Sequence, residues 1–275
     1  MDQTPDLAAY FNRIGYRGDP QPTLDTLRQL HALHTEAIPF ENLSPFLGEP
    51  VELDQPALED KLIHRGRGGY CYEHNLLFSR MLQALGFEVT GLAARVRLNQ
   101  PDHVQTPRTH MLLRVRLDEG DYLADVGFGG LTQTAPLKLV PDVEQATPHE
   151  PFRLLHADGL YTLQALVAGD WRTLYQFDLQ EQQLPDYQLA SWYLSHHPQS
   201  HFVTGLMLAR TEPGLRHALH NSRYTLHHLG GASEKRELAT VDELLDVVQT
   251  QFRIRLPEIP GSRDKLERLL ATEPS

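Results

Sequence analysis

An α+β fold is predicted, on three observations. Up to about residue 86 the apolar residues recur at helical spacing, and from 87 to about 190 they alternate at period two. Beyond 190 helix and strand patterns mix. The chain therefore reads as an N-terminal helical bundle (1–86), a central antiparallel β-barrel (87–190) and a C-terminal α/β segment (191–275) expected to act as a lid.

Asp6 opens the first helix, and Thr23 is placed to N-cap a second that runs through Leu24, Leu27, Leu30 and His34. Asp54 begins a third, with Pro56 in its first turn and Leu58 and Leu62 on one face. The loop from Gly66 to Gly69 leads into a helix that starts near Cys71. Its apolar stripe is Leu77, Phe78, Met81, Leu82 and Leu85, and Gly86 is expected to cap it. Met111, Leu113, Val115 and Leu117 then alternate with His110, Leu112, Arg114 and Arg116 as one strand. Asp118–Asp121 turn the chain, and Tyr122–Val126 return. Further strand runs are 152–155, 160–166 and 172–175. Val241–Phe252 form an amphipathic helix followed by Pro257 and Pro260.

Cys71 is the only cysteine in 275 residues. It can close no intramolecular disulfide, and one thiolate is too few for a thiolate-rich zinc site. Inert packing residue and nucleophile remain. Two preceding glycines and a following amphipathic run put the thiol at a helix start, where unpaired N–H groups and the helix dipole stabilise a thiolate. A nucleophilic thiol also needs a base, and the base an orienting acid. Fifteen histidines do not single out the base. Asp125 is more telling, because a carboxylate inside an apolar strand must be paired.

Pairing Leu117 with Tyr122 across the turn sets residue i opposite 239 − i. His110 and Asp125 then share a face but stand four positions out of register, about 13 Å apart at strand rise. The spacing leaves open whether they meet.

Arg67-Gly68-Gly69-Tyr70-Cys71-Tyr72-Glu73 matches Arg-Gly-Gly-x-Cys-x-Glu, the signature of the arylamine N-acetyltransferases, at every fixed position. Thr109-His110-Met111-Leu112-Leu113 and Asp125-Val126-Gly127-Phe128-Gly129 resemble two further segments of that family. So do Ile38-Pro39-Phe40-Glu41-Asn42 and Pro198-Gln199-Ser200-His201-Phe202, and the resemblance spans residues from about 10 to about 260. It implies a three-part fold with a cysteine-protease-like catalytic core, and the triad Cys71, His110 and Asp125. It implies acetyl-CoA as co-substrate with no permanently bound cofactor. The reaction would be ping-pong N-acetylation of an arylamine or arylhydrazine, with O-acetylation of N-hydroxyarylamines as a variant. Phe40 would wall the acyl pocket, while Thr109 and Phe128 would meet the acceptor. Gly127 and Gly129 would let backbone approach CoA. Glu73 would hold structure through hydrogen bonds.

Two other readings stay open. A papain- or transglutaminase-like amide hydrolase or transferase uses the same triad, and a non-catalytic binding module would need Cys71 only for packing.

A net charge of −11 argues against non-specific binding to nucleic acid or an anionic membrane. Arg65, Arg67 and Arg108 are candidates for local positive potential toward an anionic cofactor, although each also reads as an ordinary solvated charge. His31 and His34 read as one face of a surface-lining helix. His196, His197 and His201, and likewise His227 and His228, lack a metal-ligand spacing, so no metal is expected. An acidic N-terminus, no long apolar run and a free thiol point to the cytoplasm. Monomer or homo-oligomer is left open.

Overall fold

The computed structural model describes residues 4–101, 103–256 and 259–271. Pro257 and the Met1–Gln3 part of the acidic N-terminus lie outside the described residues. The side chain of Asp6 accepts from the Ala9 N–H to start α1 (Leu7–Ile14), and Thr23 accepts from the Thr26 N–H to start α2 (Leu24–Ala37). A short strand β1 (Phe40–Glu41) and α3 (Leu43–Leu47) follow. Asp54 caps α4 (Gln55–Glu59), which widens into a π-helical turn over Asp60–His64. The cysteine helix α5 (Cys71–Ala84) ends as its sequence suggests. Gly86, at φ +89°, donates to the Gln83 carbonyl while Phe87 donates to Leu82. That is the pairing of a Schellman cap.

The central unit contains β2 (Glu88–Val96), β3 (Arg108–Leu117), β4 (Gly120–Ala124), β5 (Leu137–Lys138), β6 (Glu144–Gln145), β7 (Phe152–Ala157), β8 (Leu160–Val167) and β9 (Asp170–Phe177). They form one antiparallel sheet in the order β5-β4-β3-β2-β9-β8-β7-β6. Pro141, just past β5, bridges to Leu154 on β7, so the sheet curls into a nearly closed barrel. Leu92, Leu112, Leu123, Leu163 and Tyr175 belong to one buried cluster. Met111, Leu113 and Val115 belong to another, with Leu77, Phe78 and Met81 of α5. Strand β3 thus buries both faces, one in the barrel and one under the helices.

The remainder comprises α6 (Leu184–His196), α7 (His201–Thr204), β10 (Met207–Glu212), β11 (Leu215–His220), β12 (Arg223–His228), β13 (Ser233–Glu237), α8 (Val241–Thr250) and α9 (Ser262–Ala271). Helix α8 stops two residues short of the expected Phe252, which is buried beyond its end. The second sheet runs β1-β10-β11-β12-β13. Its first strand comes from before the cysteine helix, where Phe40 pairs with Ala209 and Glu41 with Leu208. A two-residue strand carries no periodicity, so nothing local announces this pairing.

The β3–β4 register differs from the sequence expectation. Leu117 pairs with Gly120, not Tyr122, leaving a two-residue turn of Asp118 and Glu119. The two-residue connection is the shortest common hairpin loop, and it moves the ladder by two positions. Paired residues now sum to 237, and the ladder ends at Leu113 opposite Ala124. The returning strand therefore stops just before Asp125 instead of running to Val126.

Candidate active site

In this register His110 would stand opposite Gly127, so Asp125 is its diagonal neighbour on the same face. Diagonal pairs lie about 7–8 Å apart at the backbone, within reach of an imidazole and a carboxylate. The side chains do meet, with His110 Nε2 2.6 Å from Asp125 Oδ2. Both are buried.

A β-bulge aims the histidine. His110 pairs with Ala94, yet the next pair is Arg108 with Arg95, so Thr109 is the extra, unpaired residue. Bulges free backbone groups and redirect side chains, often beside reactive centres. Here the Thr109 carbonyl, outside the ladder, accepts from Cys71 Sγ at 3.7 Å. Thr109 therefore meets the thiol through its backbone.

Cys71 is the first residue of α5, and buried groups of opposite charge fix that helix start. Arg67 donates to Glu41 at 2.8 Å and to Ser44, while Lys61 lies 2.6 Å from Glu73. Glu73 in turn accepts from the Tyr70 N–H at 3.0 Å, covering one of the helix's unpaired donors. Only glycine fits at 68, because a β-carbon there would stand 1.8 Å from the Pro39 carbonyl oxygen. Arg67 is thus neither a solvated charge nor a free cation for a cofactor; it is 1% exposed and already paired. Arg108 pairs with Asp178, and Arg65 with Asp60.

Asp125 is held on every side. Its Oδ1 accepts from Asn75 Nδ2 at 3.1 Å and from the Gly127 N–H at 3.0 Å, and Tyr175 is near enough for the carboxylate to raise its pKa. Asn75 also donates to the Met111 carbonyl and accepts from the Val126 N–H, stapling α5 across β3 and the chain leaving β4. Burial works to raise the Asp125 pKa, but the charge of His110 and these hydrogen bonds hold it below the ordinary carboxylate value. Burial likewise opposes a charged His110. The Asp125 carboxylate and a bond to Cys71 outweigh it, pushing His110 up to about 10. The site therefore favours an imidazolium beside the sulfur.

Aromatic rings enclose this histidine. Phe128 stands edge-on to His110 with centroids 5.1 Å apart, and Tyr175 lies at 4.9 Å. Phe40 packs on Phe202, which also touches Tyr70. Gly129, at φ +91°, faces the Phe40 ring. Gly127 has a different neighbour from the one expected, because a β-carbon on it would lie 2.8 Å from the Cys71 Cα. Its lack of a side chain is accounted for by contact with α5.

His31 and His34 do not line a surface. Both are fully buried, because the face of α2 that carries them packs against α5. Tyr10 donates to His34 Nδ1, His34 Nε2 to His74 Nδ1, and His74 Nε2 to the Pro39 carbonyl, at 2.9, 2.9 and 3.1 Å. The carbonyl can only accept, and that sets every tautomer along the chain. Among the described residues no three His, Cys, Asp or Glu side chains converge to hold a metal ion. His196 stacks on Trp192, His197 on Tyr193, and His227 and His228 bond to Ser233 and Glu234.

Sequence reasoning missed His31, Asn75, Tyr175 and the contacts of Phe202. Asn75 could have been found, since it is four residues past Cys71 on one helix face. The other three carry no local signal.

A model of the N-acetyltransferase family matches residues 23–259. The arylamine N-acetyltransferase of Mycobacterium tuberculosis is 46% identical over 277 residues, covering 98% of this chain and 97% of that one. The arylamine N-acetyltransferase / N-hydroxyarylamine O-acetyltransferase of Salmonella typhimurium is 41% identical over 257 residues, covering 93% and 91%. Mycobacterium marinum arylamine N-acetyltransferase in complex with CoA superposes with a TM-score of 0.93 at 41% identity, covering 96% of this chain and 99% of that one. No helix among the described residues is long and apolar enough to cross a membrane.

Proposed function

The chain belongs to the arylamine N-acetyltransferase family, and from that premise we propose that it moves an acetyl group from acetyl-CoA to an arylamine or arylhydrazine through a thioester on Cys71. The observation that carries this reading is the position of His110, 2.6 Å from Asp125 and close enough to the Cys71 sulfur for that group to raise its pKa. Sulfur attacks the acetyl carbonyl, and the carbon–sulfur bond to CoA breaks. His110 gives its proton to the departing CoA thiolate. The amine then attacks the acetyl-cysteine, His110 takes the amine's proton, and the Cys71 thiolate leaves. Asp125 keeps the ring oriented and stabilises its charge. N–H groups in the first turn of α5 are the natural donors to the developing oxyanion.

Phe40 is assigned to the wall of the acyl pocket, and Phe128 to the aromatic acceptor beside His110. Thr109 acts at the substrate through its backbone. Gly129 is kept as a place where backbone passes close to bound CoA, and Gly127 is assigned to helix contact instead. The same thioester serves an N-hydroxyarylamine, as the name of the Salmonella relative describes for that protein. Residues 1–86 would then deliver the nucleophile and 87–190 the base and its acid, with 191–275 as lid. A single reactive thiol suits the reducing cytoplasm, where we place the enzyme.

Intact mass after mixing with acetyl-CoA and no acceptor tests the proposal. One hydroxylamine-labile acetyl group is expected on the wild type and none on Cys71→Ala. An unmodified wild type, or acetylation that survives in Cys71→Ala, would overturn it.

A further inference from the structure

We infer that His31 is a positioning residue of this reaction, holding Asp125 in place through the aspartate's backbone. The inference rests on the triad reading above and extends it by one residue on a different helix.

Asp125 is the first residue beyond the β3–β4 ladder. Its N–H is buried in a residue with no solvent exposure, and such a donor needs a partner. The partner is His31 Nε2 of α2, at 3.3 Å. Accepting there requires the proton on Nδ1. That nitrogen has no hydrogen-bond partner among the described residues. An apolar side chain would suit the surroundings of Nδ1 better, so the acceptor at Nε2 is what distinguishes an imidazole at this position. The Phe78 ring, at right angles and 5.9 Å away, fixes the imidazole plane.

Thr132 Oγ1 donates to the Asp125 carbonyl at 3.1 Å, and the remaining anchors act on the carboxylate. Asn75, the Gly127 N–H and His110 all meet the oxygens. His31 is what meets the Asp125 N–H, at the point where strand pairing has stopped. Without it that buried N–H is left unpaired, the main chain is held on the carbonyl side only, and the carboxylate loses its angle to His110. Burial also drives the His31 pKa down to about 4, against the opposing pull of Asp125, which keeps the ring a neutral acceptor at neutral pH. His110, on the other side of the same aspartate, needs the opposite state for its own task. The two rings flank one aspartate and act on it in different protonation states.

The test compares His31→Leu, which removes the acceptor, with His31→Gln, whose amide oxygen can reach the position of Nε2. Iodoacetamide alkylation of Cys71 at pH 7 reads the Cys71–His110–Asp125 unit without requiring acetyl transfer. Steady-state acetylation gives kcat and acceptor KM, and thermal melts report folding. His31→Leu should slow alkylation and lower kcat by about tenfold, the rate equivalent of one lost buried hydrogen bond. Acceptor KM should stay within about twofold, since the ring touches no substrate. His31→Gln should recover most of both rates even where its melting temperature stays low. If His31→Leu fails to fold, His31→Met replaces it, with the same expectation. Wild-type rates in the folded apolar variant, or losses in His31→Gln equal to those in His31→Leu, would overturn the inference. Wild-type alkylation no faster than that of an ordinary thiol would instead overturn the triad reading, and the role of His31 with it.

Discussion

The backbone of Gly127 rests against that of Cys71, so closely that a β-carbon at 127 would stand 2.8 Å from the Cys71 Cα and 3.0 Å from Asn75 Nδ2. The chain that has just carried Asp125 out of the barrel thus touches the helix that carries the thiol. The spacing of Cys71 and Asp125 is set by this backbone contact as much as by side chains. Gly127→Ala should therefore push α5 away from the barrel. Overpacking of this kind costs about 1–3 kcal/mol, and the denaturant midpoint measures it. Cysteine acetylation should fall further than stability does, because the sulfur moves relative to His110. An alanine variant with full activity would show that the contact relaxes elsewhere.

Asp125→Asn should keep the fold and lose turnover. An amide can hold His110 in the wrong tautomer and cannot stabilise its positive charge. In the serine-protease example the equivalent change costs about ten-thousand-fold in kcat. An imidazolium already favoured at rest softens the effect, so a loss of about a hundred- to a thousand-fold is expected, with acceptor KM little changed. Circular dichroism and the denaturant midpoint separate this loss from unfolding. Near-wild-type turnover would reduce the unit to Cys71 and His110.

Stability should fall on the acid side. His31 and His74 are buried and held down to about 4, against 6.5 for a free imidazole. The unfolded chain therefore binds protons that the folded one refuses, and stability rises with pH across this window. Each ring's contribution is complete above about pH 6.5 and is lost as pH falls toward about 4, roughly 2 kcal/mol per ring by pH 5. His110 has the opposite sign. Raised to about 10, it contributes fully below pH 6.5 and loses that contribution as pH rises through 10. Urea midpoints at pH 5, 7 and 10 should be highest at pH 7. A flat profile from pH 7 to pH 5 would contradict the neutral, buried histidines.

Glu41→Ala should be among the most damaging single changes outside the triad. It strands Arg67, 1% exposed, without its carboxylate, and it frees the Leu43 N–H that Glu41 also accepts. Breaking one side of a buried ion pair costs about 3–5 kcal/mol. Replacing both partners, as in Glu41→Leu with Arg67→Met, should recover part of the loss, because no charge is then left unpaired. The difference between double and single variants in denaturant midpoint measures the penalty directly.

Much of the molecule was legible in the sequence. Helix starts at Asp6, Thr23 and Asp54, and the stop at Gly86, are written in capping chemistry that acts within four residues. The strand runs of the barrel follow from alternation, and the place of Cys71 at a helix start from its glycines and the amphipathic run that follows. What periodicity could not supply was register. Shifting the β3–β4 turn by two residues preserves parity, so every side chain stays on its face while the distance between His110 and Asp125 is halved. Sequence alone determined the residue types at the site and the faces they occupy, because both depend on local geometry. Only the tertiary structure decided that His31, Asn75 and Tyr175 converge on one aspartate, and that Phe40 and Glu41 add a strand to a sheet built from residues more than 160 positions later. These contacts arise when separate helices and strands bury their faces against one another. No spacing within any single element records them.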